Sequence, residues 1–351
     1  MQAPFDSLEN FRDAFTAGLR RLLGEPGLGA HILVLANAGF DRTIQRDLGD
    51  ELARRFEEHA ARCREALSRG DDLKEAKDDL LVFLELLALG FDRLGHSEFR
   101  DAGPWEVQFN LIRSFRPRRM SASVAHGAQK PFNPNAFHFN KPFLRKESFW
   151  EGELFGRPVD LLYNKFPFVD LHGLLVPDRE CALPQFLTRS YHDYLWDAAG
   201  ELAATLPGVG FAYNSYGAFA SVNHLHFQMF VRHRPLPVAD RRWRHNGGAE
   251  DYPAPCLVFD RAEAAWTYID HLHRAEIPFN LLYLPQRLYC LPRARQGSYQ
   301  GVDWSGGFAW YEMAGGITTF SREDFSALTE RDIARELARV GNVDPYPPAR
   351  L

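Results

Sequence analysis

A short segment of the chain places two imidazoles and a carboxamide at alternate positions of an otherwise apolar run: His224, His226 and Gln228. Alternate side chains of an extended strand share one face, so we expect these three to project together while Leu225 and Phe227 enter the core. A neutral imidazole can attack phosphorus, and an amide can donate to a phosphate oxygen. The spacing predicts nucleotidyl transfer through a histidine nucleophile.

The eleven residues before this segment are rich in small, amide and hydroxyl side chains. Such a composition is typical of a loop whose backbone approaches an anion closely. We therefore expect Asn214, Ser215 and Ser221 to lie beside a bound phosphate. A second segment, 161–177, has the pattern of strand, turn and strand, and it contains Asn164 and His172.

The His-x-His-x-Gln spacing resembles the transferase branch of the histidine-triad and galactose-1-phosphate uridylyltransferase superfamily. The resemblance implies that His226 is the nucleophile, that Gln228 supports the transition state, and that Asn164 lies near the nucleotide ribose. The strand pair that contains His172 is also similar to the core strands of that superfamily. One position differs, because the family usually places glycine before this histidine and this chain has Leu171.

Within the superfamily, the chain is most similar to the GDP-hexose phosphorylases. The similar segments follow the family order and lie at 131–139, 213–230, 277–283, 288–292 and 311–315. The resemblance implies phosphorolysis of a GDP-hexose to GDP and hexose 1-phosphate through a covalent nucleotidyl-histidine. A dinucleoside-polyphosphate (Ap4A-type) phosphorylase would share the same core, and a non-catalytic nucleotide-binding protein is the alternative from another class.

The remaining histidines of these segments admit two interpretations. His172 and His224 are interpreted as hydrogen-bonding partners that fix the tautomer of His226, a task that a backbone carbonyl could also perform. Together with His138 they could instead supply three nitrogen ligands to zinc, but no cysteine pair accompanies them. We expect no metal ion and no cofactor.

Two basic clusters flank the loop that is rich in proline, asparagine and phenylalanine. One contains Arg116, Arg118 and Arg119, and the other begins at Lys141. Arg116 and Lys141 could clamp the second phosphate of the nucleotide or the incoming phosphate. A solvated basic loop is the equally weighted alternative.

Composition restricts the class of protein and its partners. The 351 residues carry 41 basic and 46 acidic side chains, a net charge of -5, which does not favour nucleic-acid binding. Four separated cysteines are typical of reduced thiols in a cytoplasmic protein. No apolar run approaches the roughly twenty residues of a membrane span. The expected partners are a nucleotide sugar and inorganic phosphate, and the oligomeric state stays open, with a homodimer among the alternatives.

The pattern of elements predicts an α+β fold with a histidine-triad-like antiparallel sheet and flanking helices. We expect an N-terminal helical segment over 1–100, a catalytic domain over 101–320, and a C-terminal helix and tail over 321–351. Predicted elements include helices over 13–23, 49–69, 79–89 and 184–203, a strand over 107–115, and one long helix over 322–340 capped by Ser321.

Overall fold

The computed structural model describes residues 4–116 and 126–343. Its helices are α1 (Leu8–Leu23), α2 (Leu28–Ala38), α3 (Arg42–Arg69), α4 (Lys77–Leu89), α5 (Leu111–Ser114), α6 (Arg189–Leu202), α7 (Ala262–Arg274), α8 (Trp310–Met313), α9 (Arg322–Ala327) and α10 (Glu330–Val340). Its strands are β1 (Glu98–Ala102), β2 (Trp105–Phe109), β3 (Ser148–Leu154), β4 (Arg157–Tyr163), β5 (Gly173–Pro177), β6 (Val209–Asn214), β7 (Phe227–Val231), β8 (Leu257–Phe259), β9 (Phe279–Leu284), β10 (Arg287–Pro292) and β11 (Gly316–Thr319).

The main sheet confirms the predicted α+β class. Within the described residues it has eight strands in the order β3-β4-β5-β7-β6-β9-β10-β8, and each neighbouring pair is antiparallel. A smaller sheet pairs β1 with β2 antiparallel and β2 with β11 parallel. Strands β5, β7 and β6 occupy the middle of the main sheet, which places the segment around His226 at its centre.

Both faces of the main sheet are covered. Leu225, Phe227 and Met229 are buried on one face together with apolar residues of the N-terminal helices and α6, as their alternation predicts. Phe230 lies on the other face, stacked on Trp310 in a second core that also includes residues of the smaller sheet and α10. Because Gln228 and Phe230 are two residues apart on β7, Gln228 is on this second face.

Three elements depart from the predicted bounds, and local hydrogen bonds explain the first two. Helix α3 begins at Arg42 because the side chain of Asp41 accepts from the first free backbone N–H groups. The strand predicted over 107–115 ends at Phe109, since the side chain of Asn110 accepts from Arg113 N and starts a helical turn. Helix α6 begins at Arg189, several residues after the predicted start.

The C-terminal part departs from the prediction in the same way. Ser321 caps α9 as predicted, its Oγ accepting from Asp324 N at 3.0 Å. The single helix predicted over 322–340 is divided, because Leu328 leaves the helical conformation and Thr329 caps a new helix, α10. In the part of the chain that the structure describes, no helix has the length and apolar character needed to cross a membrane.

Candidate active site

His226 lies directly before β7, at the centre of the main sheet. Its Nδ1 is 2.8 Å from the carbonyl oxygen of His224. A carbonyl only accepts, so Nδ1 carries the proton and Nε2 keeps its lone pair. Burial lowers the pKa of His226 to about 4, so the ring is neutral at neutral pH. The fold therefore presents His226 in the tautomer and charge state of a nucleophile.

The ring of His224 has a different set of partners. Its Nδ1 accepts from Phe139 N at 3.1 Å, and its Nε2 donates to the carbonyl oxygen of Arg179 at 3.1 Å. Burial, followed by the neighbouring His226, lowers the pKa of His224 to about 4. Both ring nitrogens are thus occupied by main-chain groups. The carbonyl of His224, rather than its imidazole, fixes the tautomer of His226.

Gln228, the second residue of β7, has its carboxamide fixed in one orientation. Its Oε1 accepts from His172 Nε2 at 2.6 Å and from Asn164 Nδ2 at 3.3 Å. His172 can donate through Nε2 because its Nδ1 accepts from Phe168 N at 3.4 Å. With the oxygen occupied, the Nε2 of Gln228 is left as a donor without a protein partner among the described residues. It can therefore bind a phosphate oxygen.

His172 acts on Gln228 and not on the tautomer of His226, in contrast to one of the two sequence-based interpretations. The ring is fully buried, and burial is the largest cause of its pKa falling to about 3. Leu171, immediately before it, has φ of +47°, the left-handed conformation that favours glycine. The turn before His172 therefore has a backbone conformation that glycine adopts without strain, although this chain has leucine there.

Asn214 and Ser215 use their side chains to join strands and loops next to this network. Asn214 Oδ1 accepts from Asn280 Nδ2 at 2.7 Å and from Trp310 N at 2.9 Å. Ser215 Oγ accepts from Phe279 N at 2.9 Å. These side-chain oxygens are occupied by protein donors, so their contacts support the loop from within.

Other predicted ligand contacts lie at the periphery. Ser221 is exposed at the start of the segment that leads to His224. Lys141 Nζ donates to the carbonyl oxygen of Pro134 at 3.2 Å. Arg116 is the last described residue before the gap, and Arg118 and Arg119 of the same cluster lie outside the described residues. The phosphate clamp stays a prediction.

Three residues that the sequence-based reasoning did not assign to the site lie within it. The ring of Phe139 packs 5.5 Å from that of His224 and 5.1 Å from that of His226, measured between centroids. Arg113 donates to the carbonyl oxygen of Phe166 at 2.6 Å, in the turn that carries Asn164. Gln185 is hydrogen-bonded to the main chain of His226. Arg113 and Gln185 belong to no recognisable motif, so the sequence pattern gives no sign that they lie in the site.

The described histidines are not arranged as a metal site. Over residues 4–116 and 126–343, no three histidine, cysteine, aspartate or glutamate side chains are grouped in a way that could hold a metal ion. His138 hydrogen-bonds its own loop, with Nε2 3.1 Å from the carbonyl oxygen of Pro134 and Nδ1 accepting from Asn140 N. The site is built from hydrogen bonds between imidazole, amide and main-chain groups.

The segment that forms this network matches a known protein family. Residues 105–230, which include the whole network around His226, match the model of the GDPGP1-like N-terminal domain. The chain is similar to several GDP-hexose phosphorylases. It is 26% identical over 323 residues to GDP-L-galactose phosphorylase 2 of Arabidopsis thaliana, covering 76% of this chain and 74% of that protein. These matches confirm the relationship predicted from the sequence.

Two further relatives and a solved structure extend the comparison. GDP-D-glucose phosphorylase 1 of Danio rerio is 32% identical over 132 residues, a match that spans 36% of each protein. The Xenopus laevis protein of the same name is 31% identical over 260 residues, covering 66% of this chain and 64% of its own length. The crystal structure of yeast Ap4A phosphorylase with Ap4A is 18% identical with a TM-score of 0.47, and the match covers 76% of this chain and 98% of that one.

Proposed function

We propose that this protein transfers a nucleotidyl group from a nucleotide sugar to inorganic phosphate, so that GDP-hexose and phosphate give GDP and hexose 1-phosphate. One observation carries the proposal: the Nδ1–H of His226 donates to the His224 carbonyl, which leaves Nε2 unprotonated in a neutral ring. That is the state an imidazole needs to attack phosphorus without a separate base. The names of the relatives support GDP-hexose as the substrate class.

In the first step, the lone pair of His226 Nε2 forms a bond to the α-phosphorus of the nucleotide sugar. The bond from that phosphorus to the bridging oxygen breaks, and hexose 1-phosphate leaves with the electron pair. The imidazole gains positive charge while Nδ1 keeps its proton. The His224 carbonyl at 2.8 Å stabilises this charge, because a hydrogen bond from a cation in a buried site is stronger than one from a neutral donor.

In the second step, an oxygen of inorganic phosphate attacks the same phosphorus from the opposite direction. The bond between phosphorus and Nε2 breaks, GDP is released, and the neutral imidazole returns with Nδ1 still protonated. Neither step requires His226 to gain or lose a proton. This double displacement predicts ping-pong kinetics.

Gln228 stabilises the transferring group in both steps by donating from Nε2 to a non-bridging oxygen. Its orientation follows from the hydrogen bonds that His172 and Asn164 make to Oε1. An amide cannot give a proton to a leaving group, but neither leaving group needs one: hexose 1-phosphate leaves in the first step and the imidazole of His226 in the second. The site therefore favours transfer between phosphates over hydrolysis.

The reaction would take place in the cytoplasm, a location supported by the four cysteines, which are free thiols in the structure. We also keep the division into an N-terminal helical segment (1–100), a catalytic domain (101–320) and a C-terminal segment (321–351) as a proposal. The network around His226 draws its residues from the middle part, which agrees with that division.

A substrate panel tests the proposal. The purified protein is incubated with phosphate and, separately, with GDP-glucose, GDP-galactose, ADP-glucose, UDP-glucose and Ap4A, and the nucleotide products are separated by chromatography. We expect GDP from the GDP-hexoses, and only when phosphate is added. Release of GMP as the main product in the presence of phosphate would show a hydrolase. Preferred cleavage of Ap4A would show a dinucleoside-polyphosphate phosphorylase, and binding of all nucleotides without turnover would show a non-catalytic protein.

A further inference from the structure

The ladder between β6 and β7 ends before it reaches the nucleophile. The two strands pair in register from Val209 with Val231 to Ala212 with Gln228. Continued in the same register, Asn214 would lie opposite His226. The regular pairing stops short of that position, so the main-chain groups of Asn214 and His226 need other partners in a buried region.

The side chain of Gln185, from the loop before α6, supplies partners for three of these groups. Its Nε2 donates to the carbonyl oxygen of Asn214 at 3.0 Å and to that of His226 at 3.2 Å. Its Oε1 accepts from the N–H of His226 at 3.0 Å. One carboxamide thus satisfies both main-chain polar groups of His226 and bridges them to the opposite strand.

We propose that Gln185 is a positioning residue for the nucleophile: its carboxamide takes the place of the next hydrogen-bonded rung between β6 and β7 and holds the His226 peptide. The inference rests on the proposed function, in which His226 attacks phosphorus. A direct ladder would bring the strands together at this point. In place of that rung, the inserted amide links the carbonyl oxygen of Asn214 to both main-chain groups of His226.

Gln185 is itself held on both sides. Its N–H donates to Asn223 Oδ1 at 3.1 Å, and its carbonyl accepts from the hydroxyl of Tyr213 at 3.3 Å. The amide of Asn223 in turn donates to the carbonyl oxygens of Lys130 and Pro131. Gln185 is therefore anchored to β6, to the segment before His224 and, through Asn223, to the loop that carries Phe139, whose ring packs against that of His226.

Removing this amide should displace the nucleophile, so the rate of adduct formation should fall by a larger factor than the affinity for the nucleotide. Gln185→Leu leaves three buried main-chain groups without partners, and displacement of a reacting group by about an ångström costs on the order of a hundredfold in rate. We expect the single-turnover rate of adduct formation on His226 to fall by about that factor, with the dissociation constant for GDP changed less than threefold or so. The acid limb of the pH profile should also move up from about 4, because a displaced ring is better solvated.

Two further variants separate positioning from general stability. Gln185→Met keeps the length of the side chain but has neither an N–H donor nor a carbonyl acceptor, so it should be as slow as Gln185→Leu. Ser148→Ala removes another buried side chain that hydrogen-bonds strand carbonyls, those of Trp150 and Leu161, at the far edge of the sheet. It should lower the melting temperature and leave the adduct rate and pH profile unchanged.

The outcomes distinguish this inference from the proposed function. If the wild-type protein forms no nucleotidyl adduct on His226, the proposed function fails, whatever the variants do. If the wild type forms the adduct and folded Gln185→Leu forms it as fast with the same pH profile, the positioning role of Gln185 is wrong. A folded Gln185→Met variant that reacts like wild type would also overturn it, because the hydrogen bonds of the carboxamide would then be dispensable.

Discussion

The Nδ1–H of His226 donates to the carbonyl oxygen of His224, two residues earlier in the chain, at 2.8 Å. The hydrogen bond spans a single intervening residue, Leu225. Its side chain is buried in the core between the sheet, the N-terminal helices and α6. Burial of that one side chain therefore fixes the backbone that supplies the acceptor. The geometry explains why an apolar residue stands between the two histidines.

The first prediction concerns the identity of the nucleophile. His226→Ala should abolish turnover while retaining nucleotide binding, because it removes the attacking atom. Mass spectrometry of wild type quenched with GDP-hexose in the absence of phosphate should find the nucleotidyl group on His226. His271→Ala is the matched control, since His271 belongs to a second His-x-His pair, placed in helix α7. An adduct on any other residue would refute the assignment.

The second prediction is a pH profile that follows from the burial of His226. Its pKa of about 4 means that the reactive neutral form dominates down to about pH 5. We therefore expect kcat/KM to stay level from pH 8 to about pH 5 and to fall below that as Nε2 is protonated. Circular dichroism at each pH checks that the protein is still folded. A fall centred near the ordinary histidine pKa of about 6.5 would contradict the burial argument.

The third prediction separates the two ends of the Gln228 amide. Gln228→Glu keeps the acceptor for His172 and Asn164 but loses the donor and adds negative charge beside the phosphate. We expect kcat to fall on the order of a hundredfold or more, with a smaller effect on substrate binding. Near-normal kcat in this variant would show that Nε2 makes no bond in the transition state.

The fourth prediction tests whether the Gln228 amide also determines whether phosphate or water accepts the nucleotidyl group, and it uses Gln228→His. An imidazole at this position can exchange protons with water and with the leaving group, as an amide cannot. The ratio of GMP to GDP formed at a fixed phosphate concentration should therefore rise. An unchanged ratio would place the selectivity against water in the phosphate pocket, where Arg116 and Lys141 are the candidates from the sequence.

Short-range patterns carried most of what the sequence could predict. The core positions of Leu225, Phe227 and Met229 follow from alternation within one segment, and the chemistry of His226 and Gln228 follows from their side-chain types. The cap at Ser321 is equally local. Each of these signals lies within a few residues of the feature it predicts, so no knowledge of the tertiary structure is needed to recognise it.

Features that depend on distant segments were not predicted. Gln185 reaches His226 across 41 positions of sequence, and no pattern around it indicates which strands it joins. Helix α2 is buried on nearly all sides, so it lacks the polar face that marks an amphipathic helix. The sequence predicts that His172 makes a hydrogen bond within the site. Whether its partner is His226 or Gln228 depends on the pairing of β5 with β7.

The last prediction concerns His31 of helix α2, a buried histidine far from the proposed chemistry. Neither ring nitrogen has a hydrogen-bond partner among the described residues, and the ring packs 5.0 Å from that of His59. Burial, followed by the charge of His59, lowers the pKa of His31 to about 3. The unfolded chain binds this proton below about pH 6.5 and the folded chain does not until about pH 3. The free energy of unfolding must therefore fall as the pH drops through this window.

Replacing His31 by an apolar residue of similar volume removes that penalty. His31→Leu should raise the free energy of unfolding and reduce its dependence on pH by up to about 1.4 kcal/mol per pH unit below pH 6.5. Urea unfolding at pH 5 and pH 7.5 measures both quantities. His233→Leu, at an exposed histidine, is the control and should not raise the free energy of unfolding. If His31→Leu is as acid-sensitive as wild type, then His31 has a partner in solution that holds its proton, and the remaining buried histidines, His59 among them, account for the acid sensitivity.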